Sequence, residues 1–294
     1  MPVLSVGEIV NATGGQLQCG SDAVPIHSYS IDTRALESGS AFFALKGART
    51  DGHDFVGVAA AAGAGVAVVN RHPTGPAPDA VIVVSDVEQA LTACGKAARE
   101  KSKARFVALS GSTGKTTTKE LIAAALAPTR RVHRTPGNLN NHLGVPLSLL
   151  ACPDDAEFAV IELGMSAPGE IAALTKLVDP HVGLVTNISP AHMQYFSSID
   201  DVAAAKGELF AMLRPEATSV VNLDDEHVRV QATRHAGPRV TFGRRSTANV
   251  VLMAIEDCFV PGATMTVRRG TDSRQVSLRL GGAHNARKDR KSVV

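Results

Sequence analysis

The sequence predicts an α/β protein in two parts: a small N-terminal α/β unit, then a larger unit built on a mostly parallel sheet with antiparallel additions. Three observations carry this. From Asp86 onward, apolar strand-like runs alternate with helix-length stretches, the pattern of βαβ crossovers under a sheet covered on both faces. After Arg245 that alternation gives way to three strand-like runs separated by Gly-containing turns, which marks an antiparallel extension. The 294 residues also exceed a typical domain of about 150 residues, so two cores are expected.

Taken in order, AFFAL, AGVAVVN and AVIVVS are short apolar runs between turn signals, and VGVAAAAGAGVAVVN reads as an alanine-rich helix leading into a strand. RHPTGPAPDA is proline-rich and is followed directly by VIVV, so it reads as a surface loop before a last strand and not as a tether. The boundary falls near Ser85, giving domains 1–84 and 85–294. Beyond it, EQALTACGKAAREK, TTTKELIAAALA, PGEIAALTKLV and DDVAAAKGELFAML supply helices, while FVALSGS, FAVIELG, HVGLVTNIS, TSVVNLDD and RVTFG supply strands. NVVLMAIED, ATMTVRRG and RQVSLRL are the closing strands.

Thirty basic and 28 acidic residues leave a net charge of +2, so no global field favours nucleic acid or an anionic membrane. MPVLSVGEIVNATGG lacks a basic segment followed by a long apolar run, and no 18-residue apolar stretch occurs, so no membrane insertion and a cytoplasmic location are expected. Cys19, Cys94, Cys152 and Cys258 stand far apart in no ligand spacing; reduced, mostly buried thiols are expected.

FVALSGSTGKTTTKEL carries the strongest chemical signal. Gly111, Gly114, Lys115 and Thr116 form G-x-x-G-K-T between a strand and a helix start, shorter than the full phosphate-loop pattern because Leu109 stands where the first glycine would be. Glycines let backbone N–H groups turn toward phosphate oxygens, and the helix adds its positive end. Lys115 then reaches β/γ-phosphates and the Thr116 hydroxyl reaches Mg²⁺. A nucleotide site follows, without a reaction class.

Glu162 ends a buried strand at the edge where open α/β sheets collect ligands; it suits Mg²⁺, and equally a strand-end acid facing solvent. Asn187 and His192 follow another strand, with Pro190 ending its ladder. Lys206 lies on a helix whose apolar side holds Val202, Leu209 and Phe210, where a solvated lysine is the ordinary reading. Asn222 suits a base edge, whereas Asp224 and Asp225 suit helix caps at least as well as chemistry.

SGSTGKTTTKE, TPGNLNNHLGVPLSLL, ELGMSAPGEI, TNISPAHMQYFSSIDDVAAAKGEL, VVNLDDE and GGAHNA occur in the order that resembles the Mur ligases, the ATP-dependent amide-forming enzymes of peptidoglycan precursor synthesis. SIDTRALESGSAFFALKGARTDGHDF is similar to their UDP-muramoyl-peptide recognition domain. DGHDF, NNHLGVPLSLL, ELGMSAPGEI and AKGELF most resemble the members that add D-alanyl-D-alanine, with the diamino-acid-adding members as the near alternative.

The resemblance implies ATP on Gly111, Ser112, Thr113, Gly114, Lys115, Thr116 and Thr117, with Asn138, Asn222, His284 and Asn285 nearby. It implies Mg²⁺ on Thr116, Glu162 and His192, and a catalytic set of Lys115, Glu162, His192 and Lys206, the last carbamylated. Asp32, Thr33, Arg34, Lys46, Gly47, Asp51 and His53 match the substrate motif; Arg34 and Lys46 suit a diphosphate.

The implied partners are UDP-N-acetylmuramoyl-tripeptide and D-alanyl-D-alanine, acting on a monomer. The γ-phosphate would pass to the tripeptide carboxylate, and the dipeptide amine would displace it. The family's C-terminal Rossmann-like domain has no counterpart after Asn285, where RKDRKSVV replaces an alanine-rich helix, so a truncated chain of little ligase activity is expected. Two other readings stand: a non-catalytic nucleotide-binding fragment, and a small-substrate phosphotransferase that leaves the DTR and DGHDF segments unexplained.

Overall fold

The computed structural model describes residues 4–190, 196–257 and 262–278. Two compact units form, Met1–Lys103 with His142–Ala156, and Ala104–Asn141 with Glu157–Val294.

The first unit starts with α1 (Val6–Thr13), β1 (Gln16–Cys19), β2 (Ser28–Ser30) and β3 (Ser40–Phe43). It continues through α2 (Val56–Ala61), β4 (Val66–Val69), β5 (Ala80–Val83) and α3 (Val87–Lys101). The second unit opens with β6 (Arg105–Ser110), α4 (Lys115–Leu126) and β7 (Val132–Arg134), after which α5 (Gly144–Leu150) belongs to the first. The remainder is β8 (Phe158–Glu162), α6 (Glu170–Val178), β9 (Val182–Val185), α7 (Ile199–Ala211) and β10 (Thr218–Asn222). Then come α8 (Glu226–Ala232), β11 (Arg239–Gly243), β12 (Val250–Asp257), β13 (Ala263–Arg269) and β14 (Asp272–Leu278).

Among the described residues the first sheet runs β1-β5-β4-β3-β2, parallel except for β1 on one edge. β3 and β4 are buried throughout, as parallel strands covered on both faces must be. Phe42, Ala44, Val56, Ala59, Val69 and Val81 form their core. Ser5 caps α1 by a reciprocal exchange with Glu8. Every residue of α5 is buried, and a Cβ on Gly95 would lie 2.8 Å from Pro146 Cα, so that glycine sets how closely α3 and α5 approach.

The second sheet runs β14-β13-β12-β11-β10-β9-β6-β8-β7 among the described residues. β7 to β12 are parallel, and β13 and β14 add antiparallel, as the change of pattern after Arg245 predicts. Leu109, Ile122, Val160, Leu184, Val220 and Phe242 fill the core. β6 lies between β8 and β9, so the connections leave it in opposite directions and open a crevice at its carboxyl end.

Cys94 and Cys152 are buried, and burial pushes their thiols up to about 12 and about 11. Cys19 is exposed, because all four residues of edge strand β1 face water. Cys258 and the charged run from Lys288 lie outside the described residues.

Candidate active site

β6 delivers the chain to the crevice, and two glycines turn it into α4. Gly111 has φ 144°, and a Cβ there would overlap Thr186 Oγ1. Gly114 has φ 75° and gives α4 no side-chain cap, which leaves the helix's first N–H groups available to an anion. Lys115 folds over the turn and donates from Nζ to Gly111 O at 2.9 Å. Burial lowers its pKa, and the nearby Glu162 opposes that shift.

The end of β9 holds the turn in shape. Ser112 N donates to Asn187 O at 2.9 Å, and Ser112 Oγ donates to Ser189 O at 2.9 Å. Asn187 brackets Thr113, accepting from its N–H and donating to its carbonyl, each at 3.1 Å, while Thr186 Oγ1 donates to the same carbonyl at 2.8 Å. One step further out, Asn222 Nδ2 donates to Thr186 O at 3.0 Å, and its Oδ1 accepts from Asp224 N. Asp225 caps α8 through Val228 N and takes Ile188 N at 2.8 Å, whereas Asp224 accepts from Arg244 N.

Glu162 is buried at the end of β8, 1% exposed, which removes the solvent-facing reading. Its Oε1 accepts from Thr116 Oγ1 at 3.3 Å and Asn140 Nδ2 at 3.0 Å, and its N–H donates to Thr135 Oγ1 at 2.9 Å. Oε2 is buried without a hydrogen-bond donor among the described residues, 3.9 Å from Lys119 Nζ. A buried carboxylate oxygen left open beside a helix-terminal threonine hydroxyl fits a hard divalent cation. Gly164 makes room for this: a Cβ on it would lie 2.7 Å from Asn140 Oδ1.

Lys206 is also buried, not solvated as its helix position alone suggests, and no described carboxylate lies within ion-pair distance. Burial first, and the charge of Lys115 second, bring its pKa down to about 8. With that pKa a substantial share of the amine is neutral at slightly alkaline pH, and the neutral form is a nucleophile. Its helix is fixed on two sides. Glu208 accepts from Gly169 N and Ala172 N at the start of α6, and Gly207 lets α7 lie against Gln231 of α8.

Asn138 is exposed on the turn after β7, and Thr117 is half-buried in the first turn of α4. His192, His284 and Asn285 lie outside the described residues. Lys119, Thr135 and Asn140 went unread in the sequence, although Lys119, three residues after Thr116, shares its helix face.

In the first unit, Asp32, Thr33 and Arg34 line a groove of about 460 Å³ with Phe42, Leu45, Thr50 and Phe55. Asp32 binds Arg34 through Nε and Nη2 at 2.9 and 2.6 Å, which lowers its pKa to about 2. Lys46 and Asp51 bridge the turn that contains Gly47. His53 Nδ1 meets Asp51 at 2.6 Å and its Nε2 accepts from Asn70 N at 2.9 Å, so the ring is occupied in holding this loop.

Residues 109–287 match the Mur ligase middle domain, and residues 25–103 match the catalytic domain of the Mur ligase family. The chain belongs to the Mur ligase family. It is 41% identical over 225 residues to the UDP-N-acetylmuramoyl-tripeptide--D-alanyl-D-alanine ligase of Bacillus subtilis, covering 76% of this chain and 49% of that one. The Escherichia coli ligase of the same name is 36% identical, over 96% of this chain and 62% of that one.

The fold matches a crystal structure of MurF from Acinetobacter baumannii with a TM-score of 0.87 at 34% identity, over all of this chain and 65% of that one. MurF of Thermotoga maritima in complex with ADP matches with a TM-score of 0.76 at 28% identity, over 92% of this chain and 62% of that one. This Mur ligase chain therefore spans about half to two thirds of the length of these relatives.

Proposed function

We propose that the crevice at β6 holds ATP with Mg²⁺ and serves an amide ligase that adds D-alanyl-D-alanine to UDP-N-acetylmuramoyl-tripeptide. The observation that carries this is Glu162: a buried carboxylate with one oxygen bonded to Thr116 and Asn140 and the other open beside the phosphate turn. The MurF names of the relatives and the ADP of the Thermotoga structure support the choice of substrates and nucleotide.

In this reading α4's N-terminus and the turn from Gly111 to Thr117 receive the phosphates, and Lys115 leaves Gly111 O to follow the γ-phosphate. Mg²⁺, held by Thr116, Glu162 and His192, would neutralise charge on the phosphate oxygens. The tripeptide carboxylate attacks the γ-phosphorus, the bond to the β-phosphate breaks with ADP leaving, and the carboxylate becomes an acyl phosphate. The dipeptide amine then attacks that carbonyl, and phosphate leaves. Lys206, with its lowered pKa, is suited to carbamylation. Asn138, Asn222, His284 and Asn285 complete the nucleotide's surroundings.

Recognition of the UDP-linked substrate is assigned to residues 1–84, and that of nucleotide to 85–294. Asp32, Thr33 and Arg34 line its groove, while Lys46, Gly47, Asp51 and His53 shape the adjoining turn. A cytoplasmic monomer is part of this proposed reading. Among the described residues no helix is long and apolar enough to cross a membrane.

The test is phosphate release from ATP that requires both UDP-N-acetylmuramoyl-tripeptide and D-alanyl-D-alanine. The 294 residues are expected to bind ATP and the UDP-linked substrate. Phosphate release without either substrate, or none in a chain extended to the relatives' full length, would count against the ligase reading.

A further inference from the structure

We propose that Lys119 is a positioning residue for this site: it clamps the turn after β7 to the P-loop helix and keeps Glu162 Oε2 directed at the metal position. The inference rests on the nucleotide reading above.

Lys119 is fully buried, a costly place for an ammonium unless its donors are used. Nζ donates to Thr135 O at 2.8 Å and to Gly137 O at 2.9 Å, and it lies 3.4 Å from Glu120 Oε1 and 3.9 Å from Glu162 Oε2. The carbonyls it grips belong to the segment that builds the site. Thr135, held at its carbonyl by Lys119, donates from its N–H to Val160 O and accepts Glu162 N at its hydroxyl. Gly137 leads to Asn140, whose amide occupies Glu162 Oε1.

The division of the two carboxylate oxygens follows from this arrangement. Thr116 and Asn140 satisfy Oε1. At 3.9 Å the Lys119 cation is too far from Oε2 for a hydrogen bond, so it attracts the charge without filling the lone pairs. Oε2 stays oriented and open. A lysine that served only the fold would be equally replaced by an apolar side chain with no effect on cation binding.

The experiment titrates ADP into the 294-residue chain with Mg²⁺ and, separately, with EDTA, using the unmodified chain, Lys119→Met and Thr135→Val. The gain in ADP affinity that Mg²⁺ confers is expected to fall roughly tenfold or more in Lys119→Met and about threefold in Thr135→Val, as for lost supports of metal ligands. Affinity in EDTA, which depends on the turn and Lys115, should stay within about threefold. A folded Lys119→Met that keeps its Mg²⁺ gain, or loses affinity equally with and without Mg²⁺, overturns the proposal. Should Lys119→Met fail to fold, Thr135→Val decides, since it keeps the lysine and its shape; an unchanged Mg²⁺ gain there overturns the proposal. No nucleotide binding by the unmodified chain sinks the nucleotide reading itself, and the inference with it.

Discussion

Replacing Gly111 by alanine perturbs the phosphate turn at its tightest point. At φ 144° an L side chain is strained, at about 1–3 kcal/mol for such a backbone position. The new Cβ also overlaps Thr186 Oγ1, and turning that side chain away breaks its bond to Thr113 O, worth about 1 kcal/mol. The total is about 2–4 kcal/mol, which for a unit of this size corresponds to a fall in Tm on the order of 5–15 °C. Thermal unfolding of Gly111→Ala, Thr186→Ala and the double variant completes the cycle. With Oγ1 absent the added Cβ meets less, so the double variant should lose about 1 kcal/mol less than the two singles added together. A Gly111→Ala melt within about 2 °C of the unmodified chain, or strict additivity, refutes the reasoning.

Three further expectations follow from named groups. Lys206 has a folded pKa of about 8 against its ordinary 10.5, so its charge opposes folding fully below pH 8 and progressively less as pH rises to 10.5; stability should rise over that window by on the order of 3 kcal/mol, and urea midpoints of Lys206→Met should lack that slope. Hydrogen bonds from His53, then Arg71, hold the Asp51 carboxyl well below the usual range, so its contribution is present above its ordinary 3.8 and lost as pH falls below it; acid unfolding of Asp51→Asn should show a shallower loss in that range. Gly164→Ala places a Cβ 2.7 Å from Asn140 Oδ1 and should cost about 1–2 kcal/mol in urea unfolding by pushing that amide off Glu162; an unchanged midpoint would show that Asn140 is not confined there.

The parallel core was legible because β4, β6 and β8 are runs of apolar residues separated by helix-length stretches, and the antiparallel edge because helices cease after Arg245. α1, β1, β2, the three-residue β7 and α5 were not read. β1 and β2 are short, and all seven residues of α5 are buried, so no polar face betrays a helical period. At the site, glycine and lysine spacing exposed the phosphate turn, since the local backbone itself makes that geometry. Lys119, Thr135 and Asn140 depend on which strand ends meet across the sheet, a property of strand order that local pattern does not encode. Lys206 misled for the same reason: one helix face is polar in the sequence yet covered in the fold.

The central claim is that the turn from Gly111 to Thr117 is an ATP site. Titration calorimetry of MgATP against the 294-residue chain, beside Lys115→Ala, tests it most directly. Saturable one-site binding by the unmodified chain that disappears in Lys115→Ala is the predicted result; no binding by the unmodified chain, or equal binding by the variant, contradicts it.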